Sequence, residues 1–201
     1  MNLKLDYIRE LPYIVISNFY TKEESEIILN TLINMNPYEW ETDGSKTGGA
    51  VDDDKKSLKH NYCLDLDKLV TPSGRKYNSI LEITNKIFKK EFLQKISDIH
   101  FFFEYVKKSN KDSTFINYYE KDCYYDYHHD KSIVTAISTF YKEPKSFTGG
   151  EFYMFKKHLN LENGSLLLFP SSLEHKASSV NCIKNNQCNG RFSVAKLITC
   201  I

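Results

Sequence analysis

Between Thr21 and Met35 the apolar positions fall at helical spacing: Ile27, Ile28, Leu32 and Ile33 follow a Thr-Lys-Glu-Glu opening. In that opening the Thr21 hydroxyl can take an N3 amide while Glu24 reaches back, so the spacing predicts a first helix over 21–35. From Tyr77 to Ile96, Ile80, Leu81, Ile87, Phe88 and Phe92 again recur at three and four residues, with Lys86, Lys89, Lys90 and Lys95 on other faces, and predict a second helix. After residue 98 the pattern changes to strands. IHFFFEYV, TFINYYE, YDYHHD, IVTAISTFY, EFYMFK, SLLLF and RFSVAKLIT are rich in Phe, Tyr, Ile, Val and Thr, and KKSNKDS, KEPKSFTGG and LENG between them carry turn chemistry. Short strands in succession without helices between them predict an antiparallel sandwich or barrel, a mainly β core with N-terminal helices outside it.

The stretch between the helices, ETDGSKTGGAVDDDKKSLKHNY, follows neither pattern. Its Gly, Asp and Lys predict a long surface loop of the kind given to substrate contact or lid duty. Asp52, Asp53 and Asp54 lack the alternate spacing and distant Glu of a calcium loop and read as a solvated charge run.

Composition narrows the classes. A chain of 201 residues suits one domain, with helical support and a substrate loop over 1–98 and the β core over 99–201. Fourteen Tyr and 13 Phe describe an interior built from rings, many with a polar tip. A formal charge of +1 supplies no global field for nucleic acid or an acidic membrane, so neither partner is expected. No apolar run approaches the ~20 residues of a span, and the first residues lack the apolar stretch of a signal peptide. A soluble, cytoplasmic protein is the expectation. Five cysteines without a CxxC argue for free thiols, Cys182 and Cys188 in their loop included.

The candidate chemistry sits in YYDYHHDKS, Tyr124 to Ser132. On a strand residues i and i+2 share a face, which puts His128 and Asp130 together and turns His129 away. A metal needs a third ligand, for which His60, His100 and His175 are available, while His158 in a basic turn reads as solvated. His175 is distinguished by its context: GSLLLFPSSLEH is an apolar strand ended by a Pro-Ser turn that returns the chain across the same barrel mouth. Two imidazoles and one carboxylate on one face of an ion suit non-haem Fe(II), with positions left for a chelating cosubstrate and dioxygen. Arg191 opens the last strand with Ser193 two residues on, a guanidinium fork and a hydroxyl able to hold a carboxylate. Lys184 is a competing cation in the preceding polar loop.

These features, in this order, resemble the Fe(II)- and 2-oxoglutarate-dependent dioxygenases, in particular their prolyl 4-hydroxylase-like branch. LPYIVISNFYTKEESEIIL resembles the opening strand and helix of that family, and Tyr119, Tyr125, His128 and Asp130 match its Tyr…Tyr-x-x-His-x-Asp pattern. GGEFYMF, GSLLLFPSSLEH and GRFSVAKL resemble its later strands. The resemblance implies a double-stranded β-helix, or jelly roll. It implies iron held by His128, Asp130 and His175, and 2-oxoglutarate chelated to that iron with its C5 carboxylate on Arg191 and Ser193. It also implies that Tyr119 touches the cosubstrate and that Thr139 faces the barrel interior. Dioxygen would then be spent on decarboxylating 2-oxoglutarate to succinate and hydroxylating a C–H bond. Asp122 departs from the family, standing where relatives commonly place Gly.

Asp130 argues against a halogenase, which needs that carboxylate replaced. Leu197 stands where nucleic-acid demethylases of the superfamily carry a second Arg. The expectation is a hydroxylase of a peptidyl residue such as proline, the alternatives being hydroxylation of a free amino acid or other small molecule, or a catalytically silent jelly-roll binding module. Selectivity is expected from loops 41–62, 107–113 and 142–148.

Overall fold

A computed structural model of the protein describes residues 2–182 and 190–200. Strands β1 (Asn2–Ile8) and β2 (Leu11–Ser17) form a hairpin ahead of helix α1 (Lys22–Asn34). The helix begins as its sequence dictates: the Thr21 hydroxyl accepts the Glu24 amide at 3.1 Å, and the Glu24 carboxylate accepts the Thr21 amide at 2.8 Å. The loop that follows ends in two short strands, β3 (Lys59–His60) and β4 (Tyr62–Asp65), and its Asp52, Asp53 and Asp54 are exposed.

The second helical pattern is broken in two. Helix α2 (Ser79–Thr84) tightens into a 3₁₀ turn over Asn85–Phe88, the backbone extends at Lys89, and α3 (Lys90–Ile99) starts afresh. Asn85 accounts for the break, because its side-chain oxygen accepts from the buried Lys196 ammonium at 2.8 Å and fixes that turn against the sheet. The expected strand IHFFFEYV is helical as well, a 3₁₀ turn over Phe101–Phe103 running into α4 (Glu104–Lys108). His100 Nδ1 accepts the Phe102 amide at 3.1 Å and starts the turn. Phe103 and Val106 are then buried three residues apart, so local capping overrides the strand preference of three phenylalanines.

The rest is β: β5 (Lys111–Tyr119), β6 (Tyr124–His128), β7 (Val134–Tyr141), β8 (Phe147–Gly149), β9 (Phe152–Met154), β10 (Lys157–Leu159), β11 (Leu166–Pro170), β12 (His175–Ala177), β13 (Val180–Cys182) and β14 (Arg191–Thr199). A seven-stranded sheet runs β1-β2-β11-β7-β14-β5-β4, a five-stranded sheet runs β10-β9-β12-β6-β3, and β13 pairs with β8. Their ladders are antiparallel, and the whole is a jelly roll with helices on one outer face.

Strand parity on β14 sorts the interior. Phe192 and Val194 face the helices, where they join Tyr118, Phe140, Ile28 and Leu32 in the larger apolar cluster. Arg191, Ser193, Ala195 and Leu197 take the opposite face, toward the five-stranded sheet. Between the sheets, Ile137, Leu167 and Phe169 meet Phe152 and Met154 in a second cluster. Each such side chain contributes about 1.5–3 kcal/mol by leaving water. Among the described residues no helix is long and apolar enough to cross a membrane.

Candidate metal centre

His128 closes β6 and His175 opens β12, and the two are direct partners in the ladder. Their rings lie 4.2 Å apart between centroids. His128 Nδ1 donates to the Asp126 carbonyl at 2.7 Å and His175 Nδ1 to the Leu173 carbonyl at 2.8 Å. A carbonyl can only accept, so each ring carries its proton on Nδ1 and turns the lone pair of Nε2 inward. Burial, with His175 adding to it, pushes His128 down to about 3, and burial pushes His175 down to about 4, so both imidazoles are neutral at ordinary pH.

Asp130 completes the cluster from beyond the end of β6. Its amide donates to the Ser171 carbonyl at 3.1 Å, and the Thr135 hydroxyl donates to Oδ2 at 2.7 Å. Thr135 and Ser171 are themselves bonded at 2.8 Å, which ties the carboxylate to β7 and to the turn after β11. Oδ1 lies 3.8 Å from His128 Nε2 and Oδ2 lies 3.5 Å from His175 Nε2. With both Nε2 atoms unprotonated, acceptors face acceptors, and burial holds the Asp130 carboxyl above its ordinary range. A cation at the centre relieves both costs. The three ligand atoms lie within 4.8 Å of one another, the donor set and spacing of a two-histidine, one-carboxylate face. These residues fit a divalent ion of the Fe(II) class.

The predicted His128/Asp130 pairing is therefore present, though not through strand parity, since Asp130 has left the strand. His129 is exposed and turned away, its Nδ1 2.9 Å from the Ser172 carbonyl oxygen. His60 and His158 are exposed at the surface, and His100 caps its turn in the helical layer.

Arg191, in the wall of the same cavity, is 4 % exposed. It lies level with Tyr119 on one neighbour and Tyr141 on the other. Its guanidinium carbon sits 4.8 Å over the Tyr119 ring, and its Nε is buried without a partner. Ser193 pairs with Asn117 and Thr139 one step deeper, and the Thr139 hydroxyl is likewise buried without a partner. Ser193, Tyr119 and Arg191 line the same cavity as the metal cluster, of about 690 Å³ including its mouth. Thr139 opens instead onto an adjoining cavity that shares Arg191 as its wall. The Gly-Gly turn makes room for the guanidinium: at Gly150, with φ +72°, a Cβ would stand 3.2 Å from Arg191 Cδ.

Comparison with known proteins follows this geometry. No family model matches the chain. An uncharacterised PKHD-type hydroxylase of Synechocystis is 29% identical over 93 residues, which cover 36% of this chain and 31% of that protein. The match thus spans about a third of the relative's length. A prolyl-4-hydroxylase of Pseudomonas putida superposes with a TM-score of 0.58 at 12% identity, over 94% of this chain and 92% of its own. EctD of S. alaskensis, solved with 2-oxoglutarate and 5-hydroxyectoine, gives 0.50 at 9% identity, over 92% and 71%. The fold is that of the 2-oxoglutarate–Fe(II) oxygenases. The curated relative is thus a PKHD-type hydroxylase by name and the superposed Pseudomonas structure a prolyl-4-hydroxylase, in keeping with the resemblance read from the sequence.

Within this fold several residues take places that the sequence alone did not give. Asp122, where a Gly was expected, adopts φ +65°, the conformation that Gly would supply, and its amide donates to the Val180 carbonyl at 2.7 Å. Tyr125 stands three residues before His128 yet shares its side of the strand, because the ladder with β12 slips between Ala177 and His175. Thr135 supports Asp130 and was legible only as one more inward threonine. Lys59, which lies in the stretch expected to be a surface loop, is buried in the cavity wall. Lys184 and the pairing of Cys182 with Cys188 lie outside the described residues.

Proposed function

We propose that the protein is an Fe(II)- and 2-oxoglutarate-dependent dioxygenase that hydroxylates an unactivated C–H bond. The observation that carries this reading is the convergence of His128, Asp130 and His175 on one point, with the buried Arg191 and its orphan Nε in the same cavity. His128 and His175 would hold the ion through Nε2, each oriented by its own backbone carbonyl, and Asp130 through a carboxylate that Thr135 keeps in place. Arg191 would hold the C5 carboxylate of 2-oxoglutarate, with the Ser193 hydroxyl as a further donor and Tyr119 supporting the guanidinium face, while Thr139 would reach the cosubstrate only through the adjoining cavity that Arg191 also lines. The bound ion would supply dioxygen activation coupled to decarboxylation of 2-oxoglutarate to succinate, with one oxygen atom inserted into the substrate. Phe152, Ile137 and Ala195 give the cavity an apolar wall that would keep water from the reacting centre, and residues 47–49 of the loop line it as well.

A peptidyl residue such as proline is the substrate that the resemblance favours, and the Pseudomonas prolyl-4-hydroxylase is consistent with it. A small-molecule substrate has its own support in the buried Lys59. The test is succinate production by the iron-loaded protein with 2-oxoglutarate, first alone and then with peptide and amino-acid pools, with mass spectrometry for a product heavier by one oxygen atom. Substrate-dependent succinate that disappears in His175→Ala is the expected result. Succinate production unchanged by His175→Ala would refute the assignment.

A further inference from the structure

Lys59 is 5 % exposed and lines the cavity that holds the metal cluster. Its stem runs under the loop, where a Cβ on Gly49 would come within 2.8 Å of Cε and a Cβ on Gly44 within 3.3 Å of Cγ. The two glycines leave a channel for this side chain. Its ammonium stands 5.8 Å over the Tyr125 ring, and that ring lies flat on His128 at 3.6 Å. The Cys63 thiol is also a neighbour, and burial pushes that thiol's pKa up.

The second buried lysine shows what is missing. Lys196 donates to Asn85 at 2.8 Å, to Asp112 at 3.1 Å and to Thr114 at 3.1 Å. Lys59 has no carboxylate partner among the described residues, and Asp130 is the one carboxylate in the wall of its cavity. In the proposed reaction a divalent ion, Asp130, Arg191 and the dianionic cosubstrate balance in charge, which leaves the Lys59 ammonium uncompensated. An ammonium that lines this cavity without a carboxylate partner offers a charge-assisted hydrogen bond to an anionic ligand group.

We propose that Lys59 binds the carboxylate of the primary substrate, and that this substrate is a small carboxylic acid with an aliphatic body rather than a residue within a peptide. This rests on the dioxygenase reading above. The loop supports the small size: the Ala50 amide donates to the Tyr125 hydroxyl at 2.9 Å, which fastens the loop over the Lys59 side of the cavity. A residue inside a peptide offers no carboxylate at its own backbone, whereas a free acid places one next to the carbon to be oxidised.

The experiment is anaerobic. The Fe(II)-loaded protein with saturating 2-oxoglutarate is titrated with free L-amino acids and short aliphatic acids, with the same compounds as carboxamides, and with the amino acids in blocked tripeptides. Binding is read from perturbation of the visible absorption of the Fe(II)–2-oxoglutarate complex. At least one free acid binds, its carboxamide and blocked tripeptide bind far more weakly, and Lys59→Met or Lys59→Gln weakens the acid by about thirtyfold or more while leaving the carboxamide unchanged. A packing role alone would not separate acid from carboxamide. Equal binding of acid and carboxamide by the wild type, tripeptides binding as well as acids, or no free acid binding at all overturns the proposal without recourse to a variant. An equal loss of 2-oxoglutarate affinity in Lys59→Met overturns it by assigning the lysine to the cosubstrate. Failure of the wild type to form the absorbing complex before any substrate is added removes the dioxygenase reading itself, and the proposal with it.

Discussion

The ring of Tyr125 lies on the imidazole of His128, centroids 3.6 Å apart and planes 5° from parallel, while its hydroxyl accepts the Ala50 amide at 2.9 Å. One side chain thus joins a metal-ligand candidate to the loop over the cavity. Tyr125→Phe keeps the stack and deletes the strap. The loss expected is about 0.5–1.5 kcal/mol, localised to the loop. Hydrogen exchange at the Ala50 amide should accelerate while Fe(II) affinity stays within about twofold. Unchanged exchange at Ala50 would show that the loop is held by something else.

Arg191 is argued to be the cosubstrate anchor. Arg191→Met should weaken 2-oxoglutarate binding by about 2–5 kcal/mol, since it removes one partner of a buried charge pair. Fe(II) binding should be unaffected, because Arg191 is not one of the three clustered ligand residues. Titration of 2-oxoglutarate into the Fe(II)-loaded variant measures the first, and metal binding without cosubstrate the second. Full affinity for 2-oxoglutarate in Arg191→Met would move the anion site to another cation.

Gly150 tests the same anchor through the backbone. It holds φ +72°, and an added Cβ would stand 2.8 Å from Val180 Cγ2 and 3.2 Å from Arg191 Cδ. Gly150→Ala should cost about 1–2 kcal/mol from the left-handed conformation alone, visible as a lower urea midpoint. It should also raise the 2-oxoglutarate concentration needed for half-maximal turnover, because the guanidinium must shift. Normal cosubstrate dependence in a folded Gly150→Ala protein would separate the turn from the anion site.

Away from the site, Asp6 makes a pH prediction. The Lys157 ammonium at 2.8 Å, the Tyr7 amide at 2.8 Å and the Tyr13 hydroxyl at 2.9 Å hold its carboxyl down to about 2. The folded value lies below the unfolded one, so the stabilisation is fully present above about pH 4 and is lost as pH falls through about 2. The pair is partly exposed, which limits it to about 1 kcal/mol or less. Asp6→Asn should therefore be slightly less stable than the wild type near pH 6, with the gap closing toward pH 2. Urea midpoints across that range test it, and a gap that widens on acidification would contradict it.

Much of this architecture was legible because its signals are local or periodic. The capping box at Thr21 and Glu24 and the apolar runs of β7, β11 and β14 need no distant partner to be read. The helical turn at His100 and the break at Asn85 were not legible, since each is decided by one polar contact, to the Phe102 amide and to Lys196. In the candidate site, the grouping of His128, Asp130 and His175 and the presence of Arg191 in the same cavity agree with what residue type and order led one to expect. The reason offered for Asp130 was wrong, because it is placed by Ser171 and Thr135 after the strand has ended. Lys59 was hidden for the opposite reason. A lysine in a polar loop looks solvated unless the glycines that pack on its stem are seen in space.

The central claim is that His128, Asp130 and His175 form one iron site and that the adjacent His129 has no part in it. Anaerobic titration of Fe(II) and 2-oxoglutarate, followed by visible absorption, addresses it in four proteins. Wild type and His129→Ala should bind one Fe(II) and form the absorbing complex, and His128→Ala and His175→Ala should not. Formation of the complex by His128→Ala, or its loss in His129→Ala with the fold intact, would contradict the account.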